Sequence, residues 1–248
     1  MSAVYILWLR QLKRYFRSKS RIIGALGQPL LFLFALGFGF GPIYQQAGQG
    51  DYIQFLVPGI MAMTILFTSM FTGIEIIWDR QFGFLKETLV APVSRFHIML
   101  GRSLGGATIA IFQGLVVFSI SFFVGFKVEN WLMAPVAIVF MFLTAMLFTA
   151  LGTAIASLLE DMQGFQLIMN FLIMPTFFLS GALFPLEGLP SVLTYITMFN
   201  PLSYGVDALR GALIGATHFG FLVDFAALGI GGTVLLFIGG YLFSKVQV

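Results

Sequence analysis

Ser103-Leu-Gly-Gly-Ala-Thr-Ile-Ala-Ile-Phe-Gln-Gly-Leu-Val-Val-Phe-Ser-Ile-Ser-Phe-Phe-Val-Gly-Phe126 contains no ionisable side chain, and Arg102 and Lys127 fence it on either side. A helix of that length runs roughly 36 Å, enough to cross a hydrocarbon core about 30 Å thick. The strict apolar–polar alternation of a membrane β-strand is missing. The same kind of block recurs from about Ile22 to Gly41, Phe55 to Trp78, Trp131 to Leu159, Met162 to Leu186 and Phe225 to Phe243. Only 9% of the 248 residues are charged, against roughly 25% in soluble domains. With 59% hydrophobic residues, residues 1–248 read as one all-α integral membrane domain with six transmembrane helices. The chain has no cysteine, which excludes disulfides, thiolate zinc sites and iron–sulfur clusters.

The segments between the blocks carry the polar chemistry. Over 3–18, Val4, Trp8, Leu12 and Tyr15 recur at helical spacing, with Arg10, Lys13, Arg14 and Arg17 opposite them. That pattern predicts an amphipathic interfacial helix, the alternative being a cationic flank of the first span. The longest charged interruption is 79–102, with Pro92 and Ser94 at its middle. Residues 187–221 are apolar yet broken by Pro190, Pro201 and several glycines, which predicts a re-entrant outer hairpin between the fifth and sixth spans. Asn200-Pro201 reads there as a cap followed by proline at the first helical position. Six of the 13 Lys and Arg lie within 10–21 and four more within 80–102. By the positive-inside rule, both termini and the 79–102 loop are expected to be cytoplasmic, in a multi-pass protein of the cell (inner) membrane.

Several chemistries lack their residues. None of the five lysines follows a glycine, so no phosphate-binding GxxxxGK[ST] loop is present. Gly101-Arg-Ser-Leu-Gly105 has the spacing of a serine-hydrolase elbow, but it opens a membrane span, where small residues serve helix packing. His97 and His218 fall at opposite ends of the predicted topology, so they are not expected to share a metal. A net charge of +3 gives no reason to invoke nucleic acid. The acids are expected near span ends, with Glu75 and Asp79 closing the second span and Asp207 and Asp224 outside the membrane. No metal and no cofactor are expected in this chain.

Three further stretches are Phe55-Leu-Val-Pro-Gly-Ile60, then Arg80-Gln-Phe-Gly-Phe-Leu-Lys-Glu-Thr-Leu-Val-Ala-Pro-Val-Ser94, then Leu179-Ser-Gly-Ala-Leu-Phe-Pro-Leu-Glu-Gly-Leu-Pro190. Asn200-Pro-Leu-Ser-Tyr204 and Asp207-Ala-Leu-Arg210 follow the third. Together they resemble the type-2 permeases of ABC transporters, in the branch of drug-resistance, polysaccharide and lipid exporters. The resemblance implies a non-enzymatic permease that exports a hydrophobic or amphipathic substrate (drug, lipid or polysaccharide). Its partners would be a separate ATP-binding-cassette ATPase that holds the ATP–Mg, a second permease copy or homologue forming a dimer, and membrane lipid.

The resemblance further implies that the 79–102 loop couples to the ATPase through Arg80, Phe82, Phe84, Leu85, Lys86, Glu87, Ala91 and Pro92. The outer gate would be built from Ser180, Gly181, Phe184, Pro185, Pro190, Asn200, Pro201, Tyr204, Asp207 and Arg210. Asp207 and Arg210, three apart on a predicted helix, are expected to pair. Phe32, Phe34, Phe177 and Phe178 are candidates for a lipophilic path. The remaining readings are a non-transporting anchor or sensor that recruits an ATPase, and a membrane-embedded lipid-modifying enzyme. The latter would need a cluster of His, Asp, Glu or Lys at one interface.

Overall fold

A computed structural model describes residues 3–46, 48, 50–84 and 93–245. Among them are ten α-helices and two 3-10 turns, and no strand. The helices are α1 (Ala3–Phe16), α2 (Lys19–Gln46), α3 (Tyr52–Phe71), α4 (Ile74–Gln81), α5 (Arg95–Ser121), α6 (Ala134–Leu158), α7 (Met162–Phe178), α8 (Ser191–Phe199), α9 (Pro201–Ile214) and α10 (Phe221–Ser244).

Local chemistry explains where these helices begin. Asp51 accepts a hydrogen bond from the Ile53 amide at 2.9 Å and starts α3 three residues before the expected Phe55. Ser94 caps α5 through the His97 amide at 3.3 Å, so the third span begins at Arg95, and the predicted 79–102 loop is helical over 79–81 and 95–102. Asp161 caps α7 through the Gly164 amide at 2.5 Å.

Among the described residues, five stretches are long and apolar enough to cross a membrane: Lys19–Gln46, Tyr52–Gln81, Arg95–Val124, Trp131–Leu158 and Phe221–Ser244. The remaining predicted span, α7, has 17 residues and stops at Phe178 instead of Leu186. Its chain turns away where Ser180 Oγ donates to the Phe177 carbonyl at 2.7 Å and Gly181 adopts a φ of 74°. The left-handed φ needs glycine at that point.

α3 and α4 form the axis of the bundle. The apolar window of this rod is 72% buried, against 17% for both α2 and α10. Leu56, Ile60, Met61, Ile65, Ile76 and Ile77 are sealed in its core, and α2, α5, α6, α7 and α9 pack around α3. α2 instead turns Ile23, Leu31, Phe38 and Ile43 outward, an apolar surface suited to lipid or to another membrane helix.

The rod is interrupted at Thr72–Gly73, where two backbones meet. A Cβ on Gly73 would strike the Gly152 carbonyl, and a Cβ on Gly152 would strike the carbonyl of Met70. Each glycine therefore lets α6 approach the α3–α4 joint more closely than any side chain permits.

Candidate functional site

At the end of the rod where α4 stops, α1 lies across the bundle and is held from two sides. Toward α5 the fit is steric. A Cβ on Gly101 would meet the Val4 carbonyl and Leu7 Cβ at 3.0 Å, and one on Gly105 would meet Gln11 Cβ at 2.6 Å. The two glycines of the apparent serine elbow thus form the seat for α1, and Ser103 is fully buried inside helix α5. Trp8 Nε1 donates to Thr108 Oγ1 at 3.0 Å. Gln113 Nε2 donates to the Tyr15 hydroxyl and, at 3.2 Å, to the Ile22 carbonyl.

Toward α4 the attachment is ionic. Glu75 and Asp79 lie four apart on one face of α4, and Arg10 and Arg14 lie four apart on α1, so two ladders of opposite sign face each other. Arg14 reaches Asp79 Oδ1 at 3.2 Å and Glu75 Oε2 at 3.9 Å, while Arg10 reaches Asp79 Oδ1 at 3.5 Å. Arg21 of α2 holds Glu75 at 2.6 Å. From behind, Arg102 of α5 binds Asp79 Oδ2 at 2.5 Å, and the two side chains are only 3% and 4% exposed. Two acids therefore join α1, α2, α4 and α5 at one point. Those acids were expected at a span end, but sequence reasoning gave them no partners. The matching four-residue steps of acids on α4 and arginines on α1 were the available signal.

Arg80 and Gln81 join the same point to the next helix pair. Arg80 Nη1 and Nη2 donate to the carbonyls of Leu159 and Ser157 at 3.0 and 3.3 Å, and Gln81 Nε2 donates to Glu160 O at 3.3 Å. A cation thus caps the carbonyl end of α6, where the helix dipole is negative. Phe82 and Phe84 follow at the surface, 62% and 52% exposed. Leu85, Lys86, Glu87, Ala91 and Pro92 lie outside the described residues.

The residues expected to build an outer gate lie at the opposite end of the rod. Asn200 accepts from the Leu202 amide at 3.0 Å, starting α9 with Pro201 in its first turn, and its Nδ2 donates to Thr176 O at 2.7 Å. The Tyr204 hydroxyl donates to Met198 O at 2.6 Å. Pro190 precedes α8 at the surface, and Phe184 is half-buried. Ser180, Pro185, Ser203, Asp207 and Arg210 line a cavity of about 530 Å³.

The expected Asp207–Arg210 pair does not form. Asp207 instead accepts the backbone amides of His218, Phe219 and Gly220 at 2.7, 2.8 and 3.4 Å. Arg210 turns the other way. Its guanidinium lies 3.8 Å from the Phe55 ring centroid, and Nη2 donates to the carbonyls of Gly181 at 3.0 Å and Phe55 at 3.4 Å. A helical spacing of three permits an ion pair, but backbone amides and carbonyls on neighbouring segments are the nearer partners here.

Asp224, expected in the outer loop, lies in the first turn of α10 and is fully buried, because that helix begins four residues earlier than predicted. Phe32 and Phe177 meet edge to face at 5.9 Å, while Phe34 and Phe178 are exposed. No group of three or more metal-ligating side chains is found among the described residues.

Residues 2–214 match the family of ABC-2 type transporters. The chain belongs to that family. Its relatives include the transport permease ycf38 of Cyanophora paradoxa, 28% identical over 98% of this chain and 88% of that protein. Nodulation protein J of Rhizobium leguminosarum bv. trifolii is 29% identical over 85% of this chain and 78% of its own. The inner membrane transport permease YadH of Escherichia coli K12 is 27% identical over 90% of both chains. The protein is a membrane-embedded ABC-2 transport permease rather than an enzyme.

Proposed function

We propose that this permease is the membrane half of an ATP-driven exporter. A separate ATP-binding-cassette subunit hydrolyses ATP–Mg, and a second copy of the permease or a homologue completes the pathway. The substrate is hydrophobic or amphipathic and leaves outward between the two permeases. In this reading α7 is the fifth of six crossings, since 17 residues span roughly 25 Å as a helix. Residues 187–221 form the re-entrant cap, and both termini and the 79–102 loop face the cytoplasm of an inner-membrane protein. The outward-turned apolar face of α2 supports a helix-lined dimer contact.

The observation that carries the proposal is the charged junction. The Phe82–Phe84 surface is the start of the loop that the ATPase engages. Directly before it, α4 is tied by Asp79 and Glu75 to α1, α2 and α5, and by Arg80 to the end of α6. A push on the loop is thereby delivered to five helices at once. The phenylalanines anchor the partner and Arg80 transmits the load.

The test is co-purification with an ATP-binding-cassette subunit from mild detergent, followed by measurement of ATP turnover with and without candidate lipophilic substrates. Replacing Phe82 and Phe84 by serine should abolish recovery of the subunit, and Arg80→Gln should preserve recovery while lowering stimulated turnover. Recovery of the subunit by the double serine variant would count against the seat. Stimulation unchanged in Arg80→Gln would count against transmission through α4.

A further inference from the structure

Between α1 and α4 the surface opens into a groove of about 770 Å³. Four cations line it, Arg10, Lys13, Arg14 and Arg17, against a single acid, Asp79. That acid is already saturated: Arg102 occupies one carboxylate oxygen from inside the bundle, and Arg14 and Arg10 share the other. Lys13 and Arg17 enter none of the ion pairs found among the described residues. The groove therefore carries surplus positive charge that the structure leaves uncompensated.

The rest of its lining is apolar or aromatic: Tyr5, Ile6, Leu9 and Trp78 stand beside Phe82 and Phe84, which the proposed function gives to the ATPase, with Ile6 53% and Trp78 41% exposed. Its depth in the membrane follows from the helices around it. α2 begins at Lys19, α4 ends at Gln81 and α5 begins at Arg95, so three crossings terminate at this level. An amphipathic helix and an exposed tryptophan at such a boundary belong to the headgroup layer. A ligand matched to both surfaces has an anionic head joined to hydrocarbon. Free phosphate would answer the cations and leave the aromatic walls in water.

We propose that this groove is a binding site for one anionic phospholipid. Its phosphate lies among Lys13, Arg17 and Arg14, and its acyl chains lie along Ile6, Leu9 and Trp78. The lipid completes the attachment of α1 on the side that faces away from α5. Basic pockets between helices at a membrane surface bind anionic headgroups by the same physics.

The full-length protein is reconstituted into nanodiscs of phosphatidylcholine containing a minority of phosphatidylglycerol, and retained lipid is read by native mass spectrometry after gentle release. Wild type is expected to keep phosphatidylglycerol well above its bulk fraction. Lys13→Gln/Arg17→Gln should weaken that preference by about 30-fold, the loss expected from two cations near an anionic head. These two side chains belong to no ion pair above, so the thermal midpoint is expected to hold, and the charge-keeping pair Lys13→Arg/Arg17→Lys should retain the lipid.

Equal retention of the two lipids, or a preference unchanged in the double glutamine variant, overturns the proposal. Displacement of the lipid by millimolar inorganic phosphate assigns the site to free phosphate and overturns it as well. If adding the ATP-binding-cassette subunit strips the lipid from wild type, the groove is that subunit's seat, and the lipid assignment fails.

Discussion

Asp79→Asn should be among the most damaging single substitutions at the charged junction, and its cost can be reasoned from the geometry. The carboxylate serves three arginines, of which Arg102 is 3% exposed and has its Nε and Nη1 without other partners. Neutralising Asp79 leaves that guanidinium buried and uncompensated, a situation that costs about 3–5 kcal/mol. For a chain of this size the thermal midpoint falls by about 2–4 °C per kcal/mol, so a drop of roughly 10 °C is expected in detergent. Arg10→Gln is the contrast. Its side chain is 43% exposed and sits 3.5 Å from Asp79, so it should cost no more than about 1 kcal/mol. Replacing Asp79 and Arg102 together by leucine and methionine removes both buried charges and should recover most of the loss. Fluorescence-detected size exclusion after a temperature ramp reads all three variants. If Asp79→Asn were no worse than Arg10→Gln, the buried pair would not be holding the junction together.

Gly152→Ala should destabilise the chain by about 2–3 kcal/mol, because the new methyl meets the Met70 carbonyl and α3 and α6 must part. Gly24→Ala, where a Cβ meets nothing within 4 Å, should be neutral or mildly stabilising in the same thermal assay. Asp207→Asn offers one acceptor where three amides now converge, at a cost of about 1–3 kcal/mol. Hydrogen exchange should then speed up at residues 218–220 while α9 stays protected. Ser103→Ala should leave transport intact, since Ser103 Oγ is sealed within α5, and a transport defect with normal folding would reopen the nucleophile reading.

Uninterrupted apolar length and polar caps made much of this architecture readable in advance. The 103–126 block, fenced by Arg102 and Lys127, became α5 and its 3-10 extension, and the two-faced 3–18 stretch became α1. Asn200-Pro201 started α9 as its local chemistry required. What stayed hidden depends on partners distant in sequence. The Asp79–Arg102 pair joins helices across the charged loop, and no periodicity within either helix announces it. Spacing alone misled at Asp207 and Arg210, where both side chains found closer backbone partners on other segments. The early stop of α7 was masked by hydropathy, because the turn beyond it is as apolar as the helix before it.

The cap that Arg80 places on the end of α6 bears on how α4 can move. Two hydrogen bonds from one planar guanidinium to the carbonyls of Leu159 and Ser157 tolerate little sliding. Hydrogen bonds weaken steeply as their geometry departs from linear, and two made by one rigid group are lost together. Any slide of α4 along α6 would strain both bonds together, so the two helices are expected to shift as one piece at this end of the bundle.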